Sequence, residues 1–209
     1  MGIPFSGTLY VPPSIGQIFI IDGRVGPHLN QDIFLRQLSV SDGYDIFQML
    51  QRIGKTEHAF SNPVNGMTFD EYRAWLQQQD DWARGKGLPD GYVAQTIFWF
   101  MDGAVAVGIG KIRHALTERS REFGGNIGYA IDPLYRGKGY GSQFFAKLLL
   151  QAERMGICDR LVTVEKYNFA SKKIVEKNGG DLLGENASRW FFTFPTNGKI
   201  TKKEISGES

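Results

Sequence analysis

This chain is short of cysteine, histidine and net charge. Its one cysteine, Cys158, can form neither an intrachain disulfide nor a cysteine-rich zinc site, and such scarcity in 209 residues fits a reducing compartment. A cytoplasmic location is therefore expected. The three histidines, His28, His58 and His114, show no metal-ligand spacing, so no metal is expected. Lys and Arg number 24 against 22 Asp and Glu, a net charge of +2. That is too small an excess to hold a nucleic acid by bulk charge, and no nucleic-acid partner is expected. The apolar runs Gln95–Met101 and Phe144–Leu150 fall far below the ~18 residues needed to cross a bilayer, so no membrane partner is expected either. The opening MGIPFSGTLYVPPSIGQ lacks the basic segment and apolar core of a secretory signal.

What is abundant is glycine, 26 of 209 residues against the ~7% of an average chain. With 42% hydrophobic and 22% charged residues the composition is otherwise that of a folded globular protein. At ~150 residues per domain the length suits one domain with extensions.

Residues 1–32 form a Gly- and Pro-rich N-terminal extension with one strand-like run, Gln17–Ile21, closed by Asp22-Gly23. The domain proper is expected over 33–194, and the polar tail 195–209 is expected to be mobile. Ile33–Leu38 reads as a strand, after which Ser39–Asp42 offer cap residues for a helix through Arg52. Thr68 followed by Glu71 reads as a capping box for a second helix to about Arg84, with Phe69, Tyr72, Trp75 and Leu76 at helical spacing. From Tyr92 the period changes to that of strands. Tyr92–Met101 and Ala104–Ile112, separated by Asp102-Gly103, read as a hairpin. Leu116–Gly124 is a polar connection and Asn126–Ile131 another strand. Ser142–Met155 carries one apolar stripe and ends at Gly156, the pattern of a helix with a glycine C-cap. A strand at Leu161–Val164, a helix at Phe169–Lys177 and a closing strand at Arg189–Phe194 complete an α/β (α+β) domain.

The chemistry is concentrated in Ile127–Gly141, IGYAIDPLYRGKGYG. A strand ends at Asp132-Pro133, a short basic loop follows, and a long helix begins. Glycines at 137, 139 and 141 leave backbone amides uncovered, and these amides, the helix N-terminus, Arg136 and Lys138 together make an anion site, expected to take a pyrophosphate. The spacing is not that of a P-loop, because no Gly-Lys pair has both the earlier glycine and the following Ser/Thr. Gly137-Lys138-Gly139-Tyr140-Gly141 also departs from the dinucleotide fingerprint in spacing and in position along the chain. Arg136, Gly139 and Gly141 instead meet Arg/Gln-x-x-Gly-x-Gly/Ala.

With Leu161–Val164, Asn168-Phe169-Ala170-Ser171 and Lys177-Asn178-Gly179-Gly180, this segment resembles the acyl-CoA-binding core of the Gcn5-related N-acetyltransferases. Gly91-Tyr92-Val93, Ile112-Arg113-His114 and Gly125–Tyr129 resemble a bacterial subgroup of predicted acetyltransferases. The resemblance implies the GNAT fold: a mixed, mostly antiparallel sheet with flanking helices and a central parallel pair, Asn126–Ile131 and Leu161–Val164, that splays apart. It implies acetyl-CoA as co-substrate, with pantetheine on backbone groups of Tyr129, Ala130 and Ile131. The pyrophosphate would lie on Arg136, Gly137, Lys138, Gly139, Tyr140, Gly141 and Ser142, with Asn168 and Ser171 beside the pantetheine arm. A small-molecule or peptide amine would attack the thioester directly, in a monomer or homodimer.

Two usual positions depart from the family pattern. The Tyr that protonates the leaving thiolate in many members is Val175 here, and a Glu base of some members is Thr163. Glu165, two residues on and on the same strand face, is the substitute base; His114 and Tyr129 are further catalytic candidates. Glu118 and Glu122 are candidates for attracting a cationic acceptor, and Gln77–Asp81 add an acidic helix end. The same departures leave a non-catalytic acyl-CoA-binding or sensor module as the alternative.

Overall fold

The structure, a computed structural model, describes residues 32–158 and 160–194. The expected strand at Gln17–Ile21, the rest of the extension through Gln31 and the tail 195–209 lie outside the described residues.

Strand β1 (Ile33–Gln37) leads to helix α1 (Tyr44–Arg52), a two-residue-per-strand hairpin of β2 (Thr56–Glu57) and β3 (Phe60–Ser61), and helix α2 (Phe69–Ala83). The long hairpin β4 (Gln95–Asp102) and β5 (Val105–Arg113) follows, then a short helix α3 (Glu118–Glu122) and strand β6 (Ile127–Ile131). Helix α4 (Tyr140–Arg154), strand β7 (Val162–Glu165), helix α5 (Phe169–Lys177) and strands β8 (Asp181–Glu185) and β9 (Arg189–Thr193) complete the described chain. One sheet runs β1-β4-β5-β6, all antiparallel, and a second runs β7-β9-β8.

Strand β4 divides two cores. Ile97, Trp99 and Met101 face α1 and α2, where Ile46, Leu50, Tyr72 and Leu76 are buried; Phe98 and Phe100 face α4. Side-chain alternation with both faces covered explains why this strand reads as an unbroken apolar run. On the α4 face Phe100 stacks on Phe144 at 4.6 Å between ring centroids. The helix comes this close because β5 carries no side chain at Gly110, where a Cβ would stand 2.8 Å from Phe144 Cζ and Leu148 Cδ1.

Several expected boundaries move for local reasons. Helix α1 starts behind Gly43 without a side-chain cap. Asp42 is buried instead, accepting hydrogen bonds from Trp99 Nε1 (2.6 Å), Ser39 N (2.8 Å) and Arg36. The expected Thr68–Glu71 capping box is present. Strand β4 begins at Gln95 rather than Tyr92, and the β4–β5 turn is Gly103-Ala104, with Asp102 already paired to Val105. The polar Leu116–Gly124 connection contains α3, which Thr117 and Ser120 cap reciprocally. Helix α4 begins two residues early, at Tyr140, because Gly139 adopts a left-handed conformation (φ 83°) and turns the chain directly into the helix.

The expected central pair is present as a splay rather than as a ladder. Strands β6 and β7 belong to different sheets and share no ladder. They meet only at their starts, through an isolated antiparallel-type bridge between Gly125 and Val162. Asn126 ties them there: its N–H donates to Leu161 O (2.7 Å) and its Oδ1 accepts from Leu161 N (3.0 Å). Beyond this tie a cleft takes the place of the ladder. Among the described residues, no helix is long and apolar enough to cross a membrane.

Candidate functional site

The cleft has a volume of about 520 Å³ and is lined by β6, β7, the starts of α4 and α5, the β2–β3 hairpin and the far end of β5. Its backbone chemistry follows from register. Arg113 N donates to Asn126 O (2.8 Å) and Asp132 N to Val107 O (3.0 Å), while Ile109 stands opposite Ala130. In an antiparallel ladder the hydrogen-bonded pairs alternate, so Gly128 and Ala130 are bonded to β5. Tyr129 and Ile131 then direct their N–H and C=O groups away from β5, toward the cleft. Of the three residues expected to bond pantetheine, Ala130 is thus committed to the sheet. Ile131 O is also taken, by Arg136 Nε at 2.9 Å. Tyr129 remains as the backbone edge facing the gap.

The glycine loop is held rigidly. Asp132, fully buried, caps the turn Pro133–Tyr135 by accepting from Leu134 N (3.1 Å) and receives Arg52 Nε (2.9 Å) and Nη2 (2.7 Å) on one oxygen. This half-buried pair fastens α1 to the loop across 80 residues of sequence. Gly137 (φ 74°) and Gly139 (φ 83°) take backbone conformations that L side chains avoid, and a Cβ at either would enter open space. The first i→i−4 bond of α4 is Gln143 N to Gly139 O (3.4 Å), so the amides of Gly141 and Ser142 precede it at the positive end of the helix dipole. Tyr140 buries its ring in the core and bonds Asp102 through its hydroxyl, leaving only its backbone on the loop side. Arg136 bonds Glu57 from the hairpin, and Lys138 bonds Leu134 O (3.0 Å) and lies over the Tyr135 ring. In this arrangement the loop offers an anion chiefly its amides, since both cationic side chains already have partners.

Across the cleft, Asn168 Oδ1 caps α5 by accepting from Ser171 N (3.0 Å), which leaves its amide NH₂ as the donor end. The Tyr129 hydroxyl hydrogen-bonds Ser171; burial pushes its pKa up to about 12, with the Ser171 bond opposing the rise. It stays protonated at neutral pH, so its O–H is available to donate. Thr163 and Glu165 share the cleft face of β7, as alternation requires. Glu165 receives Arg189 Nη2 (3.1 Å) on one oxygen and has His58 Nδ1 4.0 Å from the other.

Other expected residues are elsewhere. His114 is exposed at the end of β5, outside the cleft, with Nε2 2.8 Å from Thr96 Oγ1; partial burial lowers its pKa. It stops facing the acceptor side because β5 ends at Arg113 and the chain turns away. Glu118 and Glu122 are exposed on α3 and Cys158 is exposed rather than packed. Asp80 and Asp81 are paired with Arg84. Val175 is fully buried in the core.

Sequence reasoning missed the hairpin wall. His58 (φ 43°) and Ala59 (φ 66°) form a turn in left-handed conformations unusual for non-glycine residues, and the following Phe60 lies against Gly128. Lys111 Nζ lies 4.6 Å from the Phe60 ring centroid and donates to Ser61 O (3.3 Å). Burial, then the nearby Arg113 charge, pull its pKa down to about 7. The only sequence signal was a lysine inside an otherwise apolar strand.

The profile of the acetyltransferase (GNAT) domain matches residues 32–181. The chain belongs to the GNAT acetyltransferase family. The GNAT fold is also that of its structural neighbours. RimL, a ribosomal L7/L12 alpha-N-protein acetyltransferase solved with coenzyme A, is 17% identical with TM-score 0.58 over 78% of this chain and 93% of its own. Campylobacter jejuni PseH, an N-acetyltransferase solved with acetyl coenzyme A, is 13% identical with TM-score 0.54 over 78% and 98%. Salmonella typhimurium yncA, described as a putative acetyltransferase and solved with acetyl-CoA, is 14% identical with TM-score 0.54 over 82% and 98%. No curated protein matches the sequence.

Proposed function

We propose that this GNAT domain transfers an acetyl group from acetyl-CoA to a primary amine of a small molecule or peptide. The observation that carries the reading is the open gap between β6 and β7, ending at the amides of a glycine-turned helix start. The residues fit the co-substrate: the loop presents N–H groups without crowding side chains at 137 and 139, and Tyr129 presents an unladdered strand edge. Acetyl-CoA, when bound, supplies an acyl group already activated as a thioester.

The chain's own contribution is positioning and proton management. Gly137–Ser142 amides hold the pyrophosphate, with Arg136 and Lys138 reaching it only by giving up their present partners. The Tyr129 edge, with Asn168 and Ser171 opposite, orients the pantetheine arm, and the Tyr129 N–H points toward developing negative charge on the acetyl oxygen. The Tyr129 hydroxyl is the donor toward the departing sulfur, taking over from the position occupied by Val175. Glu165 accepts the amine proton, directly or through water, with Arg189 fixing its orientation. A monomer or homodimer in the cytoplasm, without nucleic-acid or membrane partner, is the setting this reading entails.

Calorimetry of the pure protein tests it. Acetyl-CoA and CoA should both bind at micromolar concentration; no binding at high micromolar ligand overturns the proposal. CoA binding without thiol release across a broad amine panel from pH 6 to 9 would instead favour the binding-module alternative, to which the burial of Val175 lends weight.

A further inference from the structure

The cleft contains more positive charge than either the fold or the loop explains. On β5, Gly108 and Gly110 face α4, as shown by the Phe144 and Leu148 atoms that a Cβ there would meet. Alternation therefore puts Lys111 and Arg113 on the opposite face, under the β2–β3 hairpin. The cleft's carboxylates are already engaged: Glu57 with Arg136, and Glu165 with Arg189. Lys111 has the Ser61 carbonyl and the Phe60 ring, and Arg113 has the Gly125 carbonyl (2.8 Å). Among the described residues neither cation is paired with a carboxylate. Arg189 adds a second sign of an unmet need. Its side chain is only 9% exposed, and its Nε is buried without a hydrogen-bond partner. Arg113 and Arg189 flank the same short segment, one on Gly125 O and the other over the Phe123 ring at 5.5 Å.

We propose that Lys111, Arg113 and Arg189 form an anion subsite on the hairpin side of the cleft, which selects acceptor amines bearing a carboxylate or phosphate group. The inference rests on the acetyltransferase reading for its assignment to the acceptor. The donor's pyrophosphate is assigned to the start of α4, and α4 covers the other face of β5. An anion that binds on the hairpin side with CoA already in place therefore belongs to the second substrate. Lys111 and Arg113 lack a carboxylate partner and Arg189 keeps its Nε unbonded beside Glu165; an entering oxyanion supplies both needs, with an arginine fork matching two oxygens at once. Lys111 reports the same need: burial and Arg113 lower its pKa to about 7, and a bound anion would return it to the charged form.

The test is calorimetry on protein saturated with CoA, at constant ionic strength, with acetate and inorganic phosphate as separate probes. At least one should bind at millimolar concentration; the stronger probe identifies the acceptor group as carboxylate or phosphate. Lys111→Met should weaken that binding at least tenfold while leaving CoA affinity within twofold, and Lys111→Gln serves if the first variant does not fold. Acetate stays ionised from pH 6.5 to 9, so its affinity should fall across that range as Lys111 loses its proton. The other charged or titratable groups lining this cleft are Arg113 on the same strand, Glu57 and His58 on the hairpin, Glu165 on β7, Arg189 on β9 and Arg136 on the loop. The fall must therefore disappear in the Lys111 variants. No anion binding to the CoA-saturated protein, or binding that the Lys111 variants leave unchanged, overturns the subsite alone. Absence of CoA binding in the same experiment overturns the acetyltransferase reading instead.

Discussion

The two sides of the cleft are built on opposite plans. On the loop side, contiguous residues 132–142 do the work with backbone groups, and the side chains present mostly hold the loop in place. On the hairpin side, β2, β3, β5, β7 and β9 bring separate side chains to the lining, and in the proposed reading function rests on those side chains. A site made of backbone tolerates change in side chains but not in conformation; a site made of dispersed side chains behaves the other way. The difference also sets what each side can recognise: amides at a helix start suit any phosphate, whereas a set of placed cations discriminates among acceptors.

Substitutions can break this contrast or sharpen it. The largest effect is expected from Gly139→Asp, which imposes a side chain at φ 83° and sets a carboxylate beside the amides of Gly141 and Ser142. CoA affinity should fall on the order of 100-fold or more by calorimetry, consistent with a like-charge clash plus αL strain. A loss below tenfold would show that the loop is not the pyrophosphate site. Next comes Arg52→Ala, which leaves Asp132 buried and unpaired. Unfolding in urea should show a loss of roughly 2 kcal/mol, below the range for a fully buried pair because Arg52 is itself more than a third exposed. An unchanged midpoint would mean that Asp132 does not depend on Arg52.

Glu165→Gln should reduce kcat about 100-fold, the lower end of the usual span for a lost general base, while KM for acetyl-CoA stays put. An unchanged kcat returns Glu165 to a role in holding Arg189. The smallest effect is expected from His114→Ala: kcat/KM should stay within about twofold, as for a side chain outside the cleft. A large drop would put the acceptor path at the end of β5 and blur the division between the two sides.

The same division explains what could be read from the sequence. The loop side was legible because its residues are neighbours along the chain: Gly137, Gly139 and Gly141 announce themselves, and the Phe144–Ala152 stripe marks the helix they start. The β4–β5 hairpin and the Thr68–Glu71 box were legible for the same local reason. The hairpin side was not. Strands β2 and β3 are two residues each, too short for any period, and their turn uses His58-Ala59 where glycine or asparagine would have signalled it. Nothing next to Lys111 in sequence tells that Phe60 will lie over it. Nor does Asp132-Pro133, which looks like a strand end, reveal that Arg52 will reach that carboxylate. Ala130 shows the limit within the legible part: the segment was right, but which of its amides faces the gap depends on a register that only pairing with β5 defines.

The Asn126 tie has a consequence beyond the substrate cleft. An open sheet edge is a template on which another chain can add a strand, and proteins ordinarily blunt such edges with charge, proline or a covering segment. Here β6 and β7 are both edge strands, and the tie fixes them as the two walls of one narrow gap. They are held too far apart to pair with each other beyond the vertex. Asn126, through its backbone N–H and its buried side chain, thus lets the fold keep two unpaired edges facing one cleft.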